Sequence, residues 1–187
     1  MTVVIPDPVQ LIRSDLYRHV GHCRAAAWFT TYLKNRSFRY TFWLRLCKSQ
    51  SRVLRTLARL MHKRLSNIYG IQIPACTQIG FGLVLCHHMG VVVNPTVVIG
   101  DNCNISQFTT IGSNHDNGAE IGNEVYIGPG VSIVEGVSIG HGATIGAGSV
   151  VVKDVPAGAT VAGNPAQVIS MKDAGRYINH RWVRSAI

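Results

Sequence analysis

The stretch Ile121–Val151, IGNEVYIGPGVSIVEGVSIGHGATIGAGSVV, decides the fold. Ile121, Ile127, Ile133, Ile139, Ile145 and Val151 stand six residues apart without a break. The same beat extends towards the N-terminus through Val93, Ile99, Ile105 and Ile111, and before them Ile73, Ile79, Leu85 and Val91. An α-helix repeats its apolar positions at about 3.6 residues and a strand alternates them. A period of six fits a chain that runs a short strand, turns a corner and runs another. One aliphatic side chain per segment then points inward, and a small residue sits at the corner. Three segments close a triangular coil of about eighteen residues, and stacked coils build columns of core. Gly follows the aliphatic residue at Ile79, Ile99, Ile111, Ile121, Ile127, Ile139 and Ile145, as corners with positive φ or close packing require. The pattern predicts a mainly β protein, a parallel β-helix over residues 70–169.

The beat breaks twice. Val91 to Val93 is a slip of two, in a segment holding His87, His88 and Asn94-Pro95. Ile111 to Ile121 is a step of ten, so four residues must leave the coil as a loop within Ser113–Ala119. Solenoids carry such insertions on a surface, often the binding surface. Both breaks contain histidine, and together they are expected to mark where substrate meets the protein.

Residues 1–69 lack the beat and read as helices, with Ser14 or Asp15 capping one and Ser37 a second. A third carries Val53, Leu54, Leu57, Leu60, Met61 and Leu65 at helical spacing. From Leu16 to Gly100 there is no Asp or Glu, yet twelve of the eighteen Lys and Arg lie there. Three readings stay open for this basic front: an ordinary solvated face, contact with the phosphates of a membrane surface or lipid-linked substrate, or nucleic acid. The last ranks lowest, because no nucleic-acid motif accompanies the charge. No run of eighteen apolar residues suggests a membrane span. Five Cys at spacings unlike a metal site suggest free thiols in a reducing cytoplasm. Residues 170–187 form a tail with Arg176, Tyr177, Arg181, Trp182 and Arg184, expected to cap the last coil.

Residues 70–169 resemble the hexapeptide acyltransferases, and within them the serine acetyltransferase branch. The resemblance rests on Gln72–Ala75 through Ile79-Gly80, on Leu85-Cys86-His87-His88-Met89-Gly90, on Ile145–Pro156 and on Ala162-Gly163-Asn164-Pro165-Ala166. It implies a left-handed β-helix, acetyl-CoA as donor, a hydroxyl as acceptor, direct transfer without metal, and a homotrimer whose neighbouring chains share each site; pairing of trimers stays open. The catalytic base falls on His87, since a neutral imidazole can take the proton of an otherwise poor hydroxyl nucleophile. His88 follows it, and on a strand the two would face opposite ways. The CoA groove is expected beside Gly128, Gly146, Ala147, Gly148 and Ser149, with Lys153 meeting a phosphate and Asn164, Pro165 and Ala166 bordering the adenine.

The chain also departs from that branch. Cys86 stands where an Asp is expected, Gln72 where a second Asp orients the imidazole, and Asn117-Gly118-Ala119 where Arg-His-Pro is expected. His115, slightly upstream, is the candidate to replace the second His. Without those charges a zwitterionic acceptor would be costly to bury. The paired histidines, lost acids and basic front resemble O-acetyltransferases of capsule and exopolysaccharide synthesis. A sugar hydroxyl is therefore the expected acceptor, with Gln72, Cys86, His88 and Asn117 around it, and serine O-acetylation is the alternative. Two other readings are weighed: an acetyl-cysteine intermediate on Cys86, and a non-catalytic trimeric scaffold.

Overall fold

The computed structural model describes residues 7–114 and 117–184, and the chain changes from helix to coil at Gly70. Four helices come first: α1 (Pro8–Val20), α2 (Ala25–Lys34), α3 (Arg36–Leu46) and α4 (Arg52–Tyr69). Their ends follow local chemistry. Asp7 caps α1 by accepting from the Val9 amide, and Pro8 occupies the first turn. Ser14 and Asp15 therefore lie inside α1, not at its start. Gly21 ends that helix at φ 74, a left-handed value that glycine adopts without a Cβ penalty. The cap of α3 is Asn35, whose side chain accepts from the Phe38 amide at 2.9 Å, rather than Ser37, which is buried. α4 buries only Ala58 and Leu65 and leaves Val53, Leu57 and Leu60 exposed. Its apolar stripe is thus largely outside.

Among the described residues, twelve two-residue strands then wind three sheets. The first sheet stacks β1 (Gln78–Ile79), β4 (Val98–Ile99), β7 (Glu120–Ile121) and β10 (Ser138–Ile139). The second stacks β2 (Val84–Leu85), β5 (Asn104–Ile105), β8 (Tyr126–Ile127), β11 (Thr144–Ile145) and β13 (Thr160–Gly163), and ends with β14 (Ala166–Ser170). The third stacks β3 (Val92–Val93), β6 (Thr110–Ile111), β9 (Ser132–Ile133) and β12 (Val150–Val151). Every pairing is parallel except the β13–β14 hairpin. The result is a left-handed parallel β-helix with a helical front. Its columns are Ile79–Ile99–Ile121–Ile139, Leu85–Ile105–Ile127–Ile145–Val161 and Val93–Ile111–Ile133–Val151.

Each side of the triangle buries two residues rather than one. The second stands two before the column residue, as with Leu83, Val97, Cys103, Val125, Val131 and Ala143. Two of the polar ones bond inside their own corner: Thr109 Oγ1 donates to Ser106 O at 2.9 Å, and Ser149 Oγ to Gly146 O at 2.7 Å, whereas the buried Thr77 Oγ1, two before Ile79, has no partner among the described residues. Val91 is such a residue, two before Val93 and fully buried. The slip therefore does not lie between Val91 and Val93. The step from Leu85 to Val93 is eight instead of six, and the surplus pair falls in the bend Cys86–Met89. The second break keeps its columns, since Ile111 stacks on Val93 and Ile121 on Ile99. Its loop is pinned by Asn94 Nδ2, which donates to Ser113 O at 3.1 Å, and by the Asn114 amide donating to Glu135 Oε2.

Single side chains join the front to the coils. Arg45 is 1% exposed and meets both carboxylate oxygens of Asp15, at 2.9 and 3.0 Å. It also donates to Ile79 O at 2.9 Å and Gly80 O at 2.7 Å. Asp15 and Ser14 in turn accept from the amides of Leu83 and Gly82, each at 2.8 Å. Arg18 donates to Gly82 O, Asn104 Oδ1 and Asn179 O, and Lys48 to Thr77 O. Part of the basic front is thus spent internally: Arg45 is paired with the Asp15 carboxylate, and Arg45, Arg18 and Lys48 donate to neutral backbone carbonyls. The tail descends the flank of the solenoid instead of covering its last coil. Arg181 pairs with Glu124 at 2.9 Å, Asn102 and Trp182 exchange two hydrogen bonds, and Arg184 reaches Asp101 at 2.8 Å. These are the corner residues of successive coils, and Asn179 carries the strap on to α1.

Candidate active site

The corners between the second and third sheets form one continuous edge. Cys86–Met89 opens it. Because this segment is a bend and not a strand, the alternation that would send His87 and His88 to opposite faces does not apply. His87 is exposed. His88 is half-buried, edge-on to Tyr69 with centroids 5.4 Å apart. Its Nε2 lies 3.3 Å from Arg36 Nη1, and since a guanidinium only donates, that nitrogen is the acceptor. Partial burial and the charges of Arg36 and His87 hold His88 below the usual imidazole range. Cys86 is half-buried and bonded to Ser106 of the next coil, and burial pushes its thiol up. A thiol so placed is a poor nucleophile, which removes the motive for an acetyl-cysteine intermediate.

The ladder continues upward from His87. Cys86 N donates to Ile105 O at 2.9 Å and Phe108 N to Met89 O at 3.2 Å, so Gln107 stands in the corner one coil above the Cys86–Met89 bend. Among the described residues, the buried Gln107 Oε1 has no hydrogen-bond partner. The sequence reading missed Gln107, although adding one twenty-residue coil step to His87 reaches it. Gly130 N then donates to Gln107 O at 2.9 Å, Gly148 N to Pro129 O at 2.8 Å and Gly146 N to Val161 O at 2.8 Å. One edge therefore carries His87, Gly128, Gly146, Ala147 and Gly148, and leads to Asn164, Pro165 and Ala166 at the β13–β14 turn. The glycines serve different ends. A Cβ on Gly128 would come within 2.8 Å of Ile145 O, so its lack of a side chain is needed for coil stacking. A Cβ on Gly148 would meet nothing within 4 Å, so this corner faces open space beside the exposed Ala147.

Two expected donor-site residues lie elsewhere. Ser149 is fully buried, because it stands two before Val151 and its side chain faces the core. Lys153 follows β12, on the next corner of the triangle. That second edge also carries Asn117, whose carbonyl accepts from Gly136 N at 2.9 Å. His115 lies outside the described residues. Gln72 is exposed and bridges Val92 on the outer face of the third sheet, between the edges. The two breaks in the beat thus do not meet within one chain. A side of six residues at about 3.3 Å each separates them by roughly 20 Å. Among the described residues no cluster of three metal-ligating side chains occurs, and no helix is long and apolar enough to cross a membrane.

With this geometry in view, comparisons with known proteins identify the class. The family model "Bacterial transferase hexapeptide (six repeats)" matches residues 118–153. A soybean serine acetyltransferase apoenzyme is 35% identical and superposes with a TM-score of 0.74, covering 88% of this chain and 70% of the other. A Brucella abortus serine acetyltransferase in complex with coenzyme A is 30% identical with a TM-score of 0.70, covering 88% and 68%. The chloroplastic serine acetyltransferase 1 of Arabidopsis thaliana is 42% identical over 124 residues, which is 64% of this chain and 40% of that protein. The chain belongs to the hexapeptide-repeat transferases. Within them it falls in the serine acetyltransferase-like branch. It spans well under half the length of the curated relatives it matches. The relatives overturn the expected sugar acceptor of surface-polysaccharide synthesis. Losing the acidic positions at 72 and 86 is compatible with a chain whose relatives are serine acetyltransferases, and does not by itself redirect the acceptor.

Proposed function

We propose that this chain is an acetyl-CoA-dependent O-acetyltransferase whose acceptor is the hydroxyl of L-serine. The observation that carries the reading is the single edge on which His87 and the open Ala147–Gly148 corner stand, in a chain similar to proteins named serine acetyltransferases. The exposed imidazole of His87 takes the hydroxyl proton as the serine oxygen attacks the thioester carbonyl. The C–S bond breaks, the ester C–O bond forms, and the proton passes to the departing CoA thiolate. General-base help of this kind contributes about a hundred- to ten-thousandfold. The pantetheine arm lies along the edge towards Ala147 and Gly148, and the adenine end towards Asn164 and Pro165.

The working unit in this reading is a trimer. Two edges roughly 20 Å apart cannot hold one small acceptor, whereas in a three-fold ring the edge of one chain that carries Asn117 and Lys153 faces the His87 edge of the next. The reduced cysteines fit a reducing compartment such as the cytoplasm. The test is release of CoA from acetyl-CoA with free L-serine. Turnover above about 1 s⁻¹, the low end for enzymes, supports the reading, and absence of release with L-serine under saturating acetyl-CoA overturns it.

A further inference from the structure

A cleft of about 850 Å³ opens between α3, α4 and the His88–Met89 end of the catalytic bend. Arg36, Arg39 and Arg64 line it, and none of its lining residues is acidic. Their states differ. Arg39 is tied to the end of α2, donating to Tyr32 O at 2.9 Å and to Leu33 O. Arg36 is oriented by His88. Arg64 is exposed and has no hydrogen bond or ion pair among the described residues, so its five donors are available to a ligand. Leu65, Ile68 and Tyr69 supply an apolar wall, which strengthens charge–charge attraction relative to open water. Three cations gathered without a counter-ion, one of them bonded to the residue that follows the proposed base, suit an anion.

We propose that this cleft binds the carboxylate of the acceptor, with Arg36 and Arg64 as its ligands and Arg39 as a fixed background charge. The proposal rests on the serine reading and adds how this chain selects its acceptor. A serine carboxylate near His87 must meet cations or carry a large desolvation cost, and Arg36, Arg39 and Arg64 supply them beside His88 from the same chain. Guanidinium groups fit the role because they grip a carboxylate with two parallel hydrogen bonds. Because the cleft contains no acid, the acceptor's ammonium is not read there. The site therefore selects hydroxy acids by their negative charge, and glycerate, which lacks the amine, should replace serine.

The experiment is steady-state kinetics of the full chain with L-serine, L-serinamide and D-glycerate, for wild type, Arg64→Ala, Arg36→Ala and Arg36→Lys. Wild type should favour L-serine over L-serinamide by tenfold or more in kcat/KM and should use glycerate, as a charged hydrogen bond of about 1.5–3 kcal/mol implies. Arg64→Ala and Arg36→Ala should each raise the KM for L-serine about tenfold, leave the KM for acetyl-CoA unchanged and erase the preference over serinamide. Arg36→Lys should recover part of that preference. The proposal is overturned if wild type uses serinamide as well as serine. It is also overturned if the arginine variants alter the KM for acetyl-CoA instead, which would give the cleft to the donor's phosphates. Either result leaves serine acetylation standing. Failure of wild type to release CoA with L-serine would remove both.

Discussion

The β-helix and the helical front are held by opposite strategies. In the β-helix every column residue touches the equivalent residue one coil away, so Ile99, Ile121 and Ile139 do the same work in the same way. The front meets the coils through a few side chains that have no counterpart elsewhere, chiefly Arg45, Arg18, Ser14 and Asp15. Repetition distributes stability over many similar contacts. Singular joints concentrate it, because a buried guanidinium that loses its carboxylate leaves an uncompensated charge. The proposed chemistry sits at the boundary of the two, where a surplus pair of residues interrupts the repeat and α3 and α4 approach it.

The largest expected effect tests that boundary. His87→Ala should lower kcat/KM by about a hundred- to ten-thousandfold without altering the far-ultraviolet circular dichroism, since the exposed side chain packs against nothing the coils need. An active variant would move the base elsewhere. Next comes the joint. Arg45→Ala should destabilise by about 3–5 kcal/mol, and hydrogen exchange should show the front opening while the amides of the β6–β9 ladder stay protected. Uniform loss of protection would mean that front and coils unfold as one unit, and would break the contrast drawn above.

Acid should act on the front as well. His19, in the last turn of α1, is edge-on to Phe38 of α3, and its buried Nε2 has no partner among the described residues. Burial, with the nearby charge of Arg18, lowers its pKa to about 4. The unfolded chain then binds a proton near pH 6.5 that the folded chain refuses until about pH 4. Stability from this group is complete above pH 6.5 and falls as the pH drops through that window, by about 3 kcal/mol in all. Denaturant titrations of wild type and His19→Leu across pH 4–7 should diverge by this slope, and parallel profiles would refute it. The smallest effect belongs to the open corner. Gly148→Ala meets no atom but must keep φ 68, so it should cost about 1 kcal/mol. A much greater loss of stability would show that the corner is packed after all. In the proposed donor groove, the added methyl should raise the KM for acetyl-CoA.

Much of the coil was legible because its contacts are local and periodic. The burial of Ser149 could have been read from the same pattern, since the residue two before each column position faces inward. The edge assignment of Lys153 needed only a count of sides. Other features were illegible for physical reasons. Val91 and Val93 both face the core, so counting aliphatics could not place the slip, and the bend at Cys86–Met89 had to be seen. Asn35 and Asp7 won their capping roles over Ser37, Ser14 and Asp15 because those three are buried by packing between elements far apart in sequence. The arginine cleft exists only because α3 and α4 dock beside the first coil.

The sequence by itself determined a three-sided solenoid, its columns, its two interruptions and a histidine beside one of them. A six-residue period admits few other foldings, and each coil repeats the constraint. The tertiary structure alone decided that the two interruptions occupy different edges, that buried cations such as Arg45 and Arg18 are joints, and that Arg36, Arg39 and Arg64 converge beside His88. Those facts depend on single long-range contacts, and a contact made once leaves no period to read.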